Sequence, residues 1–538
     1  MKNAIWLVLG AATLSAQPVR ITVDGAQTVG PWKPIHRFFG YDEPNYTYAP
    51  NGRKLVGELA KVSDQPVYLR THFMLATGDG TPDFKWGSTN AYTEDAAGKP
   101  VYDWTIVDRI IDTYRQAGAK PFLEIGFMPE ALSRKPQPYR PVWAPGAAFD
   151  KYYVGWSYPP KDFAKWGELV YQWARHAVGK YGLAEVESWY WEVWNEPDIA
   201  YWHGTPEEYD QLYDTAVRAV RRAAPHARVG GPATTGPAST KAGGYLRQFL
   251  EYCDKNGTPL DFISYHAKGR PSVVEGHVRM GIEKNIEDVT KGFEIVSSFE
   301  KFRGLPIILS ESDPEGCAAC SARVYPQNAY RNTPLYASYT ASMFKRIFEA
   351  ADRDKVNIEG MLTWAFEFEG QPYFEGFRTL ATNGVDKPIL NVFRMAGRLH
   401  GNRVKTDNAG SANVDALATK GANEIAALVW NYDRDDVPGP ESEVRLAFSG
   451  IPDATRQVMV EHFRIDGEHS NAYTVWKRLG SPQKPTAEQA AEMMSAGQLQ
   501  QLEAPRLVGS RGGKTEVDFA LPKQGVSLVV VRWGSAAR

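Results

Sequence analysis

Two glutamates stand where this sequence can do chemistry. Glu196 lies in Trp191-Glu192-Val193-Trp194-Asn195-Glu196-Pro197-Asp198 and Glu311 in Pro306-Ile307-Ile308-Leu309-Ser310-Glu311-Ser312-Asp313-Pro314. Each follows a short apolar run and precedes a proline turn, which places it at the end of a strand. Two carboxyls facing each other across a sugar are what cleavage of a glycosidic bond requires. One, protonated, donates to the leaving oxygen; the other, ionised, attacks the anomeric carbon. A gap of about 5–5.5 Å gives retention of configuration, and a wider gap with room for water gives inversion. Nearness also separates their pKa values, because an ionised Glu311 raises the pKa of Glu196 and keeps it protonated for the first step. The expected roles are general acid/base for Glu196 and nucleophile for Glu311.

The two carboxylates can meet only if their strands share one mouth. Eight short β-rich runs alternate with amphipathic helices, at 38–41, 67–71, 121–126, 188–194, 228–231, 261–266, 306–310 and 360–366. Eight βα repeats imply the α/β class and a (β/α)8 TIM barrel over 37–403. Runs four and seven then lie on roughly opposite sides of the mouth, at the end where such barrels do their chemistry. The helical signal is sharp between runs four and five. Thr205-Pro206-Glu207-Glu208 forms a capping box, and Tyr209, Leu212, Tyr213, Ala216, Val217 and Val220 make one stripe. The segment 127–163 is a long loop rich in proline and aromatic residues, expected to wall one side of the site or to pack on its own rings. From residue 404 to 538 strands dominate, at 424–431 and 525–533, with a helix at 487–497, which predicts a β-sandwich. A strand near 22–29, within 17–36, is expected to join it.

Bulk composition narrows the function. The 538 residues are too many for one core, and 61 Lys+Arg against 63 Asp+Glu leave no basic surface for nucleic acid or anionic membranes. The 16 Trp, 27 Tyr and 23 Phe suit stacking on the C–H faces of sugars. Residues 1–16 read as a signal peptide, with Lys2, an apolar run from Ala4 to Leu14 and Leu14-Ser15-Ala16 before Gln17. A secreted or periplasmic protein is therefore expected, free of the membrane once the leader is removed. Cys317-x-x-Cys320 favours a local disulfide over two free thiols, and Cys253 reads as a buried core thiol. The 10 histidines form no compact ligand cluster, so no metal and no cofactor are expected.

In this order and on these strands, the motifs resemble glycoside hydrolase family 39, within the clan of retaining barrel glycosidases. The segments that carry the resemblance are Phe127-Met128-Pro129-Glu130-Ala131-Leu132, Tyr181-Gly182, Trp189 through Asp198 and Val229-Gly230-Gly231-Pro232, beside Glu311. The resemblance implies retention, and Asn195 at the sugar 2-hydroxyl. The family holds β-xylosidases and α-L-iduronidases. Glu311-Ser312-Asp313-Pro314, Arg70-Thr71-His72, His266-Ala267-Lys268-Gly269 and Arg378-Thr379-Leu380 are similar to the iduronidase branch. There, the positions of Lys268 and Arg378 contact the sugar carboxylate, as an Arg fork and a Lys charge would suit. The plainer alternative pairs Lys268 with Asp313 or Glu315, and Arg378 with Glu367 or Glu369, around a neutral pentose. His72, His266, Trp364 and Glu369 complete the expected sugar contacts, and Glu192 is expected as a buried partner of Arg70. The substrate expected is a glycoside or oligosaccharide, first a β-1,4-xyloside of xylan type. Alternatives are an α-L-iduronide, an α-L-arabinoside, or a sugar-binding protein without catalysis.

Overall fold

The structure, a computed structural model, describes residues 18–144 and 146–534, so the expected leader at 1–16 lies outside the described residues. Parallel strands Phe38–Tyr41, Tyr68–Thr71, Lys120–Ile125, Tyr190–Val193, Arg228–Thr234, Phe262–Lys268 and Pro306–Asp313 lie side by side in chain order. The eighth comes in two pieces, Asn357–Met361 paired with strand seven and Thr363–Trp364 paired with strand one, and so closes the barrel. Closure depends on Gly40, where a Cβ would stand 2.4 Å from the Trp364 ring. Between strands four and five, helix Pro206–Ala223 starts at the expected Thr205 capping box and buries the expected stripe.

The barrel filling changes along its axis. Inward positions near the bottom are aromatic: Phe38, Tyr68, Phe122, Tyr190 and Phe262 pack with ring centroids 4.8–6.4 Å apart. Two residues further along each strand the same face carries Gly40, Arg70, Glu124 and Glu192. Strand period two puts both sets inside. An aromatic plug thus supports an ionic layer just under the mouth.

Strands five, six and seven run on to Thr234, Lys268 and Asp313, past the ends read from sequence. Ser312 and Asp313 look like loop residues, yet both are buried and pair with Ala267 and Lys268 in the ladder. Polar residues that belong to a site read as turn; here they are sheet.

The second domain is the expected strand-rich one, and its strands form one continuous, mostly antiparallel sheet. One nine-stranded sheet includes the N-terminal strand Val19–Pro31, which pairs antiparallel with Asn402–Ala409 and parallel with Ser442–Ser449. The sheet folds over because strand Asn402–Ala409 meets Val414–Lys420 through only three residue pairs. Register shifts after Asp24 and Thr28 add to the bend. Ile21, Val23, Ile425, Ala427, Val529 and Val531 fill the core between the two halves. The opposite face of the same strands, with Ala426, Leu428, Trp430, Leu528 and Val530, packs into the barrel core against helix Pro334–Asp354. Helices Ala472–Arg478 and Ala487–Ala496 interrupt the strands between Gln457–Ile465 and Gln500–Gly509.

Candidate active site

Arg70 organises the mouth. Its guanidinium is fully buried; Nε donates to Glu192 at 2.5 Å and Nη2 to Asn195 Oδ1 at 2.9 Å. Glu124 lies 3.0 Å from Nη2, and Glu311 lies 3.5 Å from Nη1. Burial alone would lower the pKa of Arg70, but Glu192, Glu124 and Glu311 together raise it. Glu192 is therefore the buried partner expected of it. Because arginine only donates, Asn195 must turn its oxygen to Arg70, and its Nδ2 is buried without a hydrogen-bond partner among the described residues.

Glu311 sits on strand seven with one oxygen toward Arg70 and His72 and the other 2.7 Å from Lys268 Nζ. Burial opposes its ionisation. The neighbouring His266, Lys268, Arg70 and His72 outweigh burial and hold the carboxyl well below the usual range. Glu311 is therefore ionised, as an attacking group must be.

Glu196 follows strand four on a turn that places Trp194 at φ 68° and Glu196 at φ 43°. Left-handed backbone is costly for such residues and persists only when fixed from outside. Here the Glu196 N–H donates to Ala233 carbonyl at 2.9 Å and Trp194 Nε1 to Tyr201 carbonyl at 2.9 Å. His266 Nδ1 lies 2.9 Å from Glu196 Oε1 and 3.8 Å from Glu311 Oε2, and ligand atoms of the three side chains lie within 4.8 Å of one another. Those three groups are close enough to share a cation. The Lys268 ammonium already neutralises Glu311 from that side.

The remaining expected residues divide. His72 gives Nδ1 to Asp42 at 2.9 Å and holds Nε2 3.3 Å from Glu124 and 3.8 Å from Glu311; burial lowers its pKa to about 4. Trp364 is buried against His72, ring centroids 4.2 Å apart, beneath the cation of Arg70. Lys268 bridges Glu311 and Asp313, the latter at 2.6 Å. Arg378 pairs with neither Glu367 nor Glu369. It reaches Glu315, which it shares with Arg331, and lies 3.6 Å from Asp313. In the loop after strand seven, Cys317 and Cys320 form a disulfide and Arg331 donates to the carbonyls of both. Glu315 stands just past strand seven and lies between Arg331 and Arg378. Glu369 does not join the cluster. Its carboxylate accepts from Asn51 N, Gly52 N and Asn51 Nδ2 at 3.0–3.2 Å, at the start of helix Pro50–Leu59. Cys253 is a buried free thiol, as expected.

Sequence reading missed three groups. Glu124 pairs in register with Glu192 and faces the same interior, so strand parity could have found it. Asp42 closes strand one just before a proline, as Glu196 closes strand four. Lys85, buried beside Asp42, leaves no sequence signal. The loop 127–163 reaches the site through Tyr153, whose ring lies 5.0 Å from that of Tyr201, while Trp156 is buried among neighbouring rings.

A (β/α)8 barrel with two such carboxylates at its mouth has the build of a glycoside hydrolase. The chain belongs to glycosyl hydrolases family 39, whose sequence model matches residues 68–515. It is 31% identical over 406 residues to a β-xylosidase of Caldicellulosiruptor saccharolyticus, covering 73% of this chain and 76% of that one. It is 27% identical over 375 residues to the α-L-iduronidase of Homo sapiens, covering 62% of this chain and 55% of that protein. In fold it is similar to a monomeric β-xylosidase from Caulobacter crescentus CB15, with TM-score 0.77 and 22% identity over 95% of this chain and 99% of the other.

Proposed function

We propose that the protein is a retaining exo-glycosidase that removes a terminal β-linked pentose, first of all β-1,4-linked xylose from xylan fragments. In the first step Glu311 attacks the anomeric carbon while Glu196 protonates the leaving oxygen, giving a glycosyl-enzyme. In the second, Glu196 takes a proton from water, which displaces Glu311 and restores the original anomeric configuration. The closeness of the Glu196 and Glu311 oxygens, within 4.8 Å, supports direct attack over a water-filled gap. His266, hydrogen-bonded to Glu196, is placed to hold the acid/base carboxyl as its proton leaves and returns. The burial of Glu311, Asn195 and His266 supports an exo mode, since only a chain end fits so enclosed a place.

The observation that carries the substrate reading is the engagement of both candidate uronate-binding cations. Lys268 lies between Glu311 and Asp313, and fully buried Arg378 is held by Glu315 and Asp313. Acids already match these cations, which supports a neutral sugar. The disulfide fits export to a secreted or periplasmic location. The test compares kcat/KM on aryl β-D-xyloside, α-L-arabinoside and α-L-iduronide for wild type and Arg378→Ala. We expect the xyloside to be preferred and the substitution to leave the xyloside-to-iduronide ratio without a selective iduronide loss. Preference for iduronide, falling about ten- to over a hundred-fold in the variant as a charge-assisted bond is lost, would replace this reading with a uronidase.

A further inference from the structure

We propose that Asp42 and Lys85 form a hydroxyl clamp that holds the C3 and C4 side of the terminal sugar. The proposal rests on the reading of this mouth as the pocket for a neutral glycone and deepens it. Asp42 follows the first barrel strand and Lys85 lies on the loop after the second; they are 2% and 5% exposed. Their charges meet at 2.5 Å, Lys85 Nζ to Asp42 Oδ2. The other carboxylate oxygen accepts from His72 Nδ1 at 2.9 Å, and Trp364 Nε1 lies 3.4 Å from Oδ2.

Lys85 is pinned from both sides of its backbone. Its N–H donates to Glu43 Oε1 at 2.8 Å, and its carbonyl accepts from the Tyr152 hydroxyl at 2.9 Å. Its φ of 56° lies in the left-handed region, so the chain is bent to deliver this side chain where it stands. The ammonium has three donors; among the described residues Asp42 is its one hydrogen-bond partner, and the Tyr152 ring, its centroid 5.6 Å away, faces it without accepting a hydrogen bond from it. A buried ammonium with donors to spare is expensive unless something polar meets it.

What meets it follows from position. A single imidazole separates the pair from the nucleophile, since His72 touches Asp42 with Nδ1 and holds Nε2 3.8 Å from Glu311. Glu311 fixes where C1 must lie. The Nδ2 of Asn195, held through Arg70 beside Glu311 and without a hydrogen-bond partner among the described residues, suits the adjacent 2-hydroxyl. The ring's C3 and C4 then extend away from Glu311, toward the wall made by His72, Trp364, Asp42 and Lys85. One acceptor beside one donor matches two neighbouring hydroxyls, each of which both donates and accepts. The same Asp42 would repel a sugar carboxylate, so the clamp selects a neutral sugar.

The experiment measures kcat/KM for an aryl β-D-xyloside and its 3-deoxy and 4-deoxy analogues on wild type and Lys85→Met. We expect wild type to lose about ten- to over a hundred-fold on at least one deoxy analogue, the size of a charge-assisted bond. Lys85→Met should lose a comparable factor on the full xyloside and little further on that analogue. An equal loss in the variant on all three substrates would mean a purely structural ion pair and overturn the clamp. So would full wild-type activity on both deoxy analogues, a result that does not depend on the variant folding. If wild type hydrolyses none of the three, the glycone reading falls, and the clamp with it. Cleavage of the xyloside without deoxy discrimination overturns the clamp alone.

Discussion

Lys268 is one of the groups, after His266, that hold the Glu311 carboxyl low. Its ammonium touches Glu311 at 2.7 Å, while burial of that carboxylate works in the opposite direction. Removing the charge leaves burial less opposed, so the Glu311 pKa must rise. Lys268→Met should therefore move the acidic limb of the kcat/KM profile to higher pH, with the larger loss at low pH. Above the limb it should still cost about ten- to over a hundred-fold, if the charge-assisted bond also orients Glu311. The pH–rate profile of the free enzyme decides this, and an unmoved acidic limb would show that Lys268 does not tune Glu311. Glu196 and Glu311 were legible in sequence because each stands where an apolar run stops, and Asn195 through the resemblance to the family. Lys268 was legible with one of its contacts: the pair with Asp313 was among those expected, while the second contact, to Glu311, was not.

At the scale of elements, strands were read well and loops poorly. A parallel barrel strand is a short apolar run between turn signals, and its pattern is local. Strand Phe38–Tyr41 matches its expected bounds, and the others fall where runs were seen. The partners of loop residues depend on how the loop folds back, and no local pattern carries that. Arg378 meets Glu315, just past the end of strand seven, although the two lie far apart in the chain. Glu369 shows the same limit: in sequence it follows strand eight like a sugar contact, but in space it satisfies helix Pro50–Leu59, where free N–H groups and the positive end of the dipole favour an anion. Glu369→Ala should lower stability by about 1 kcal/mol, as loss of a helix cap does, and leave KM for the xyloside unchanged. Thermal unfolding and steady-state kinetics on the same preparation test both parts. A raised KM at unaltered stability would return Glu369 to the substrate.

For the whole molecule, the chain crosses between domains twice. Strand Val19–Pro31 precedes the barrel in sequence but lies within the other domain's sheet, and the remaining strands follow the barrel. Strand Glu424–Asn431 is buried on both faces, Ile425, Ala427 and Val429 toward its own core and Ala426, Leu428 and Trp430 toward the barrel. Arg403 adds a two-armed pair with Asp352 on helix Pro334–Asp354, at 2.8 and 2.9 Å. Such a junction should make the two domains unfold together. Leu428→Ala, which empties a fully buried site in the junction, should cost about 2–5 kcal/mol and lower one shared transition. Calorimetry showing two transitions, with only one displaced, would contradict that coupling.

The division of labour between Glu196 and Glu311 is decided by azide rescue. With an activated aryl β-xyloside, Glu311→Ala should be inactive until azide fills the space left by the carboxylate. It should then form an α-glycosyl azide, inverted because the anion attacks once from the nucleophile's face. Glu196→Ala should give the β-glycosyl azide, because the glycosyl-enzyme on Glu311 still forms and azide replaces water in the second step. The anomeric configuration read by NMR decides the assignment. The opposite pairing of variants and azides, or full activity in Glu311→Ala without azide, would contradict it.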